Sequence, residues 1–152
     1  MHVWKYLSDF ETAIRVNEDC RLMSLPKNFC SKEILECGAL CGESHSNTNS
    51  SLPAALYKLG YFDCYDDLFP YTNVFVTKVN FWLQKSVQEF LYSLYSNSLS
   101  LEHRWGDLPI IGVTLKIFGE WSSETATNKE IIYNHGSHGV VVKDGRIIFN
   151  ES

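Results

Sequence analysis

Apolar residues recur at helical spacing in three parts of the chain. The clearest run is Phe81–Asn97, where apolar side chains three or four residues apart alternate with polar ones, which predicts an amphipathic helix. Its apolar stripe, which we assign to the core, consists of Leu83, Val87, Phe90, Leu91 and Leu94. A second helix is predicted over Leu108–Phe118, and a short one over Pro53–Leu59 after a cap at Ser51.

Short runs of β-branched and aromatic residues predict strands. They are Glu33–Leu40, Asn73–Val79, Glu130–Tyr133, Val140–Lys143 and Arg146–Phe149. Asp144-Gly145 is a strong signal for a two-residue turn, so residues 139–150 are expected to form a C-terminal β-hairpin. A Ser- and Asn-rich stretch at residues 42–51 predicts a flexible loop. Helices separated by strands predict one α/β or α+β domain over residues 1–152.

The composition is that of an ordinary globular domain and excludes two classes of protein. Hydrophobic residues make up 45% of the chain and charged residues 20%, which is typical of a domain with a core. The net charge of −5, without a basic block, excludes a nucleic-acid-binding protein. No apolar run reaches the ~20 residues of a membrane-spanning helix, so no transmembrane segment is predicted. The odd number of cysteines, 5, favours free thiols over a complete disulfide framework.

The segment Glu102–Ile110 carries the most informative chemistry. It places an acid, a base and an indole around Gly106 and then runs into the second predicted helix. Asp107 is expected to cap that helix, with Pro109 in its first turn, and Arg104 offers two parallel N–H donors to a phosphate or carboxylate. The competing roles for Asp107 are substrate positioning and general base. Because a capping carboxylate has a lowered pKa and accepts protons poorly, we favour positioning.

Four motifs in matching order resemble one family of enzymes. Arg104–Asp107, which reads R-W-G-D and is followed by an apolar residue and a proline, resembles the R-W-G-D-A-P segment of the fungal α-1,2-mannosyltransferases, glycosyltransferase family 15. Upstream, Thr72–Val76 and then Asn80–Trp82 have the spacing of the family's S-N-F-E-I and D-F-W segments. Downstream, Ile132–His135 resembles its I-G-Y-x-H. The likeness extends over about residues 71–136.

The resemblance implies a fold, a reaction and a set of site residues. The implied fold is α/β, a GT-A-like mixed sheet flanked by helices, here without the N-terminal half that grips the nucleotide. The implied reaction moves a sugar from a nucleotide-sugar donor to a hydroxyl of a glycan acceptor. The matching residues are catalytic Asp107 and Arg104, and substrate-binding Trp105, Glu102 and Asn73.

The resemblance also implies a divalent metal, Mn²⁺, which neutralises the leaving diphosphate. Trp4–Asp9 resembles the family's W-R-V-E-P-D, whose two acids lie at the metal and the nucleotide. Asp9 matches the second acid and Leu7 stands at the first, so Glu11 is a proposed substitute. If this segment is a strand, Asp9 and Glu11 project from the same face. His135, which matches the family's late histidine, would complete the metal site.

Two departures from the family pattern leave a second function open. The family's proposed catalytic glutamate falls on Phe75, which cannot act as a nucleophile or base, and Leu7 removes one metal ligand. The leading hypothesis is a glycosyltransferase of the mannosyltransferase-like, hexose-transferring kind, or the acceptor-side half of one. The alternative is a non-catalytic carbohydrate- or partner-binding module built on the same scaffold.

Overall fold

The computed structural model describes residues 3–28, 33–42, 51–63, 68–96, 105–119 and 121–149, and only the backbone at residues 123 and 124. Its helices are α1 (Val3–Tyr6), α2 (Ser51–Lys58), α3 (Val79–Trp82), α4 (Lys85–Ser96), α5 (Asp107–Phe118) and α6 (Ser123–Ala126). Its strands are β1 (Thr12–Val16), β2 (Cys20–Ser24), β3 (Leu35–Cys37), β4 (Leu40–Gly42), β5 (Leu68–Pro70), β6 (Val74–Lys78), β7 (Ile132–His135), β8 (Val140–Lys143) and β9 (Arg146–Phe149). Within these ranges, no helix is long and apolar enough to cross a membrane.

The strands form three sheets among the described residues. β6 is central in the first sheet, between β1 and β3. The second sheet has the order β2-β7-β8-β9, and the third contains β4 and β5. The predicted combination of helices and sheets is confirmed. The mixed sheet implied by the resemblance is not confirmed: each pair of strands among the described residues is antiparallel, and the parallel contacts among them are two isolated bridges, between Cys37 and Thr127 and between Ala39 and Gly145.

The C-terminal hairpin turns at two residues with a left-handed backbone. Asp144 has a φ of 53° and Gly145 a φ of 77°, the conformation that a two-residue hairpin turn requires. The stretch predicted as a loop lies mostly outside the described residues, with Gly42 at the end of β4 and Ser51 at the start of α2.

The helix predicted over Phe81–Asn97 is broken in the structure. α3 ends at Trp82, and Leu83 is only half-buried between α3 and α4. The break allows Phe81 and Trp82, which are adjacent in sequence, both to be buried, whereas one narrow helical stripe would expose one of them. α4 keeps the predicted apolar face, formed by Val87, Phe90, Leu91 and Leu94.

One core connects β6, α4 and α5. Trp105, which immediately precedes α5, belongs to the same apolar cluster as the stripe of α4, so the packing predicted from their spacing is confirmed. The Trp105 side chain is 6% exposed, and its indole N–H donates to Ser51 Oγ at 2.9 Å. α5 approaches β5 closely at Gly112, because a Cβ there would lie 2.5 Å from Phe69 Cδ1.

The N-terminal segment considered as a strand is helical instead. α1 and a turn cover it, and the first strand begins only at Thr12. The indole of Trp4 stacks on that of Trp82, with ring centroids 5.1 Å apart and planes 10° apart. This packing fixes α1 against the core. Asp9 and Glu11 both precede the first strand, so they do not lie on one face of a strand, and both are exposed.

Candidate active site

The turn Tyr71–Asn73, between β5 and β6, joins two groups of polar side chains. Its first and last residues contact His135 at the end of β7. Its middle residue, Thr72, contacts Asp107 at the start of α5. Three residues that the sequence singled out, Asn73, Asp107 and His135, are therefore linked through one short turn.

The first group, the histidine centre, consists of His135, Tyr71, Asn73 and Asp19. His135 Nδ1 lies 2.9 Å from Tyr71 Oη and 2.9 Å from Asn73 Nδ2, and His135 Nε2 lies 2.9 Å from Asp19 Oδ2. Asn73 is oriented by Asn17, whose Nδ2 donates to Asn73 Oδ1 at 2.9 Å. Because the amide and the phenol donate to Nδ1, this network places the imidazole proton on Nε2, facing the carboxylate.

The titratable groups of the histidine centre are tuned by burial and hydrogen bonding. Burial raises the pKa of Tyr71 to about 12, so its hydroxyl remains a donor. A hydrogen bond from Ser137 Oγ, and then the neighbouring His135, hold the pKa of Asp19 below its ordinary value despite partial desolvation. Asp19 is thus an ionised acceptor. Burial, and then the Asp19 charge, raise the pKa of the adjacent Cys20 thiol to about 11.

The second group pairs Asp107 with Arg15 of β1. α5 begins at Asp107 itself, Gly106 occupies the cap position, and no side-chain hydrogen bond caps the helix. The Asp107 carboxylate instead contacts the Arg15 guanidinium and lies 3.4 Å from Thr72 Oγ1, which donates to it. The predicted cap is therefore wrong, because these two partners draw the carboxylate away from the free N–H groups of α5.

We expect Asp107→Asn and Asp107→Ala to be nearly equally stable. Each loses a half-exposed ion pair with Arg15, and such pairs contribute about 0–1 kcal/mol. A cap would separate the two variants, since Asn caps as well as Asp whereas Ala costs about 1 kcal/mol. Urea denaturation measures the difference, with Arg15→Gln as the matched loss of the same pair. An Ala variant less stable than the Asn variant by about 1 kcal/mol would show that Asp107 does cap α5.

Asp9 and Glu11 are not brought to His135. Glu11 precedes β1, whereas His135 reaches the first sheet through Asn73, which lies beyond the opposite end of β1. β1 has five residues, so its first and last residues are separated by about 13 Å at ~3.3 Å per residue. The carboxylate that meets the imidazole is that of Asp19. Cation binding by Asp9 and Glu11 without His135 stays a prediction.

The family motif W-R-V-E-P-D fits a later segment better than Trp4–Asp9. The earlier segment matches the motif at two positions, whereas Ile14–Asp19 reads I-R-V-N-E-D and matches at three. Its arginine pairs with Asp107, and its final acid, Asp19, belongs to the histidine centre. The tryptophan favoured the match to Trp4–Asp9, because Ile14–Asp19 lacks one. In the alignment with Ile14–Asp19, Asn17 stands at the position of the motif's first acid.

The remaining predicted residues have different outcomes. Glu102 and Arg104 lie outside the described residues. Trp105 is buried and bonded to Ser51, so it supports the start of α5 and does not present its ring to a ligand. Phe75 is 1% exposed and lies opposite Arg15 in the β1–β6 register.

A cavity of about 480 Å³ opens beside Arg15. Its lining is mostly apolar and includes Trp4, Leu7, Ile14, Phe75 and Ile111. It lies along β1, which forms the edge of the first sheet.

Three solved structures of fungal mannosyltransferases are similar in fold to this chain. Core-mannan synthase A from Aspergillus fumigatus, in its Mn/GDP form, is 13% identical and has a TM-score of 0.68, over 87% of this chain and 44% of the other. The mannosyltransferase Ktr4p from S. cerevisiae, in complex with GDP, is 11% identical with a TM-score of 0.68, over 93% of this chain and 43% of the other. No protein-family model and no curated protein sequence matches the chain.

This likeness confirms, at the level of the fold, the resemblance that the sequence motifs indicated. A second structure of Ktr4p from S. cerevisiae gives the same TM-score of 0.68 at 11% identity. The chain spans less than half the length of each of these enzymes.

Proposed function

We propose that this chain is the acceptor-side half of a mannosyltransferase-like glycosyltransferase, which moves a hexose from a nucleotide-sugar donor to a carbohydrate hydroxyl. The observation that carries the proposal is the meeting of Asp19, His135 and Asp107 around one turn, on a fold shared with fungal mannosyltransferases. Each of these residues matches a family motif. The activity, the donor and the acceptor are parts of the proposal and go beyond the likeness in fold.

The histidine centre fits a divalent metal. Asp19 Oδ2 and His135 Nε2 lie 2.9 Å apart, close to the spacing of neighbouring ligands around a cation with bonds of about 2.1 Å. Asp19 and His135 would hold the ion, and diphosphate oxygens of a donor would fill its remaining positions. When bound, the metal supplies positive charge that stabilises a leaving diphosphate. With Asn17 at the family's first acid, the protein contributes one carboxylate fewer than the family pattern.

Asp107 and Arg15 are suited to hold an acceptor sugar. The Asp107 carboxylate accepts hydrogen bonds from sugar hydroxyls, and the Arg15 guanidinium donates to sugar oxygens. Both side chains are partly exposed, at 41% for Arg15 and 44% for Asp107, so a ligand can reach them. Arg15 and Thr72 hold the Asp107 carboxylate in place, which suits it to orient an acceptor hydroxyl.

The open edge of β1 is suited to bind the nucleotide-binding half of such an enzyme. β1 pairs with β6 on one side only among the described strands, and Ile14 and Val16 are 45% and 43% exposed. An edge strand with apolar side chains is a template for further strand pairing. Since the chain spans 43–44% of the matched enzymes, the occupant that we propose is a polypeptide carrying the N-terminal half of the same domain.

A non-catalytic carbohydrate-binding module is the second candidate, and Phe75 favours it. The family's proposed catalytic glutamate falls on Phe75, and its buried ring offers no proton-accepting or nucleophilic atom. Such a module would keep the Arg15–Asp107 pair and bind sugar without transferring it.

Sugar binding and sugar transfer separate these proposals. We expect saturation-transfer NMR on the full chain to detect α-mannosides, and the signal to be lost in Asp107→Asn and in Arg15→Gln. Glu18→Gln, at an exposed neighbour of Asp19, is the control that should keep the signal. Incubation with GDP-mannose and Mn²⁺, with and without an added nucleotide-binding half, tests transfer. Binding without transfer under both conditions supports the module, and wild type without sugar binding overturns both proposals.

A further inference from the structure

Cys20 lies directly opposite His135 in the β2–β7 register, next to Asp19 in sequence. We propose that Cys20, Asp19 and His135 form a thiolate-containing cation site that prefers Zn²⁺ or Co²⁺ to Mn²⁺. The inference deepens the proposed metal centre and rests on it, but it requires no sugar transfer. It assigns a ligand, Cys20, that no family motif contains.

The three ligand groups converge from two strands. One Cys20 sulfur, one His135 ring nitrogen and one Asp19 carboxylate oxygen all lie within 4.8 Å of one another. The Cys20 Sγ to Asp19 Oδ1 distance is 3.9 Å, and the Asp19 Oδ2 to His135 Nε2 distance is 2.9 Å. Directly opposed residues of an antiparallel pair have Cβ atoms about 4.5–5.5 Å apart. Small side-chain rotations therefore suffice to enclose one ion.

The chemistry of this donor set selects the metal. Sulfur, imidazole nitrogen and carboxylate oxygen are the ligands of zinc, and three protein ligands leave a fourth position open for water or a phosphate oxygen. Mn²⁺ favours oxygen donors and gains less from a thiolate. On binding, the sulfur–metal bond replaces the S–H bond, and the thiol proton is released to the solvent.

Groups around the site are able to orient the imidazole for a cation. When His135 Nε2 binds a metal, the ring proton resides on Nδ1, where Tyr71 Oη lies 2.9 Å away and can accept it. The Asn73 amide nitrogen, also 2.9 Å from Nδ1, must then turn away from the ring, because two donors cannot share that contact. Ser137 Oγ donates to Asp19, which holds that carboxylate beside the ring. Below them on the same face of β7, Tyr133 is fully buried, and its hydroxyl has no hydrogen-bond partner among the described residues.

The other described cysteines lack such neighbours and provide a matched control. Cys37 is buried, with its sulfur 3.1 Å from the Ala39 carbonyl oxygen, and Cys41 is also buried. Within the described part of the chain, neither belongs to a group of three potential ligands. Cys41→Ala therefore removes a buried thiol that is not one of the three proposed ligands.

Co²⁺ titration followed by absorption spectroscopy tests the thiolate ligand on the full chain. We expect wild type to develop a thiolate-to-cobalt charge-transfer band in the near ultraviolet, Cys41→Ala to keep it, and Cys20→Ser to lose it. Calorimetry should show that wild type binds Zn²⁺ more tightly than Mn²⁺. Cys20→Ser should lower the affinity for Zn²⁺ by about tenfold or more and leave the affinity for Mn²⁺ unchanged. In wild type, bound Zn²⁺ should also protect Cys20 from alkylation, which keeps the test valid if Cys20→Ser does not fold.

Three results overturn the inference. They are saturation with Co²⁺ without a charge-transfer band, a band that survives in folded Cys20→Ser, and alkylation of Cys20 that Zn²⁺ does not slow. Mn²⁺ binding together with any of these leaves the proposed transferase intact while removing Cys20 from its metal site. If the chain binds Zn²⁺ but neither binds nor transfers sugar, the proposed function is refuted and the cation site is retained.

Discussion

Trp105→Ala is expected to lower the free energy of unfolding by about 3–5 kcal/mol. The indole is buried in the apolar cluster that also contains residues of α2, α4 and α5, and its N–H donates to Ser51 Oγ. Removing it leaves a cavity that these packed elements can close only in part. It also leaves the Ser51 hydroxyl without that donor. Chemical denaturation with matched m-values measures the loss.

Trp105→Phe is the control for the hydrogen bond. It keeps most of the apolar volume but removes the indole N–H, so it should cost less than the alanine variant. Ser51→Ala removes the acceptor alone. A loss below about 1 kcal/mol for Trp105→Ala would contradict the proposed core position, since full burial of an aromatic ring contributes more than that.

His135→Leu is expected to destabilise the fold by about 1–3 kcal/mol, although leucine fills much of the same space. The cost arises because buried Tyr71 loses the imidazole that accepts from its hydroxyl, while Asn73 and Asp19 each lose a partner. An unsatisfied buried hydroxyl bears the full cost of its desolvation. Thermal and urea denaturation report the change in stability, and the same variant should lose cation binding.

A double-mutant cycle with Tyr71→Phe separates this hydrogen bond from packing. If the Tyr71–His135 hydrogen bond accounts for most of the cost, the double variant should lose less stability than the summed losses of the two single variants. Asn17→Ala serves as the outer control, because Asn17 orients Asn73 without touching the imidazole. Strict additivity of Tyr71→Phe and His135→Leu would show that their hydrogen bond contributes nothing to stability.

Periodicity predicted the elements with a clear apolar face. The stripe of α4 follows from side-chain spacing alone, because its apolar face must be buried against the core. The helix after Asp107 follows from its nearly continuous apolar sequence, and it is buried on several sides, since the consecutive residues Val113, Thr114 and Leu115 are all buried. Local pattern did not predict the break between α3 and α4. That break depends on Trp82, whose indole stacks on Trp4 from a distant part of the chain.

The candidate site was predicted only in part, for a similar reason. His135, Asn73 and Asp107 were found because each lies in a recognisable motif. Asp19 was missed because its segment lacks the tryptophan of the family motif. Its contact with His135 gives no local signal either, since it depends on the pairing of β2 with β7, two strands far apart in sequence. The cap assigned to Asp107 failed on the same ground, because Arg15 lies on a strand that local rules do not bring near α5.

The pairing of β1 with β6 has a consequence for biosynthesis. Ile14 lies opposite Val76, so the ribosome must complete α2 and β5 before β1 gains its partner strand. Until then, β1 carries unpaired backbone groups on both sides and exposed apolar side chains, the condition under which nascent chains aggregate or recruit chaperones. If the nucleotide-binding half proposed above is folded at that moment, it covers one side of β1 during synthesis. Expression of the chain alone should therefore yield less soluble protein than co-expression with that half.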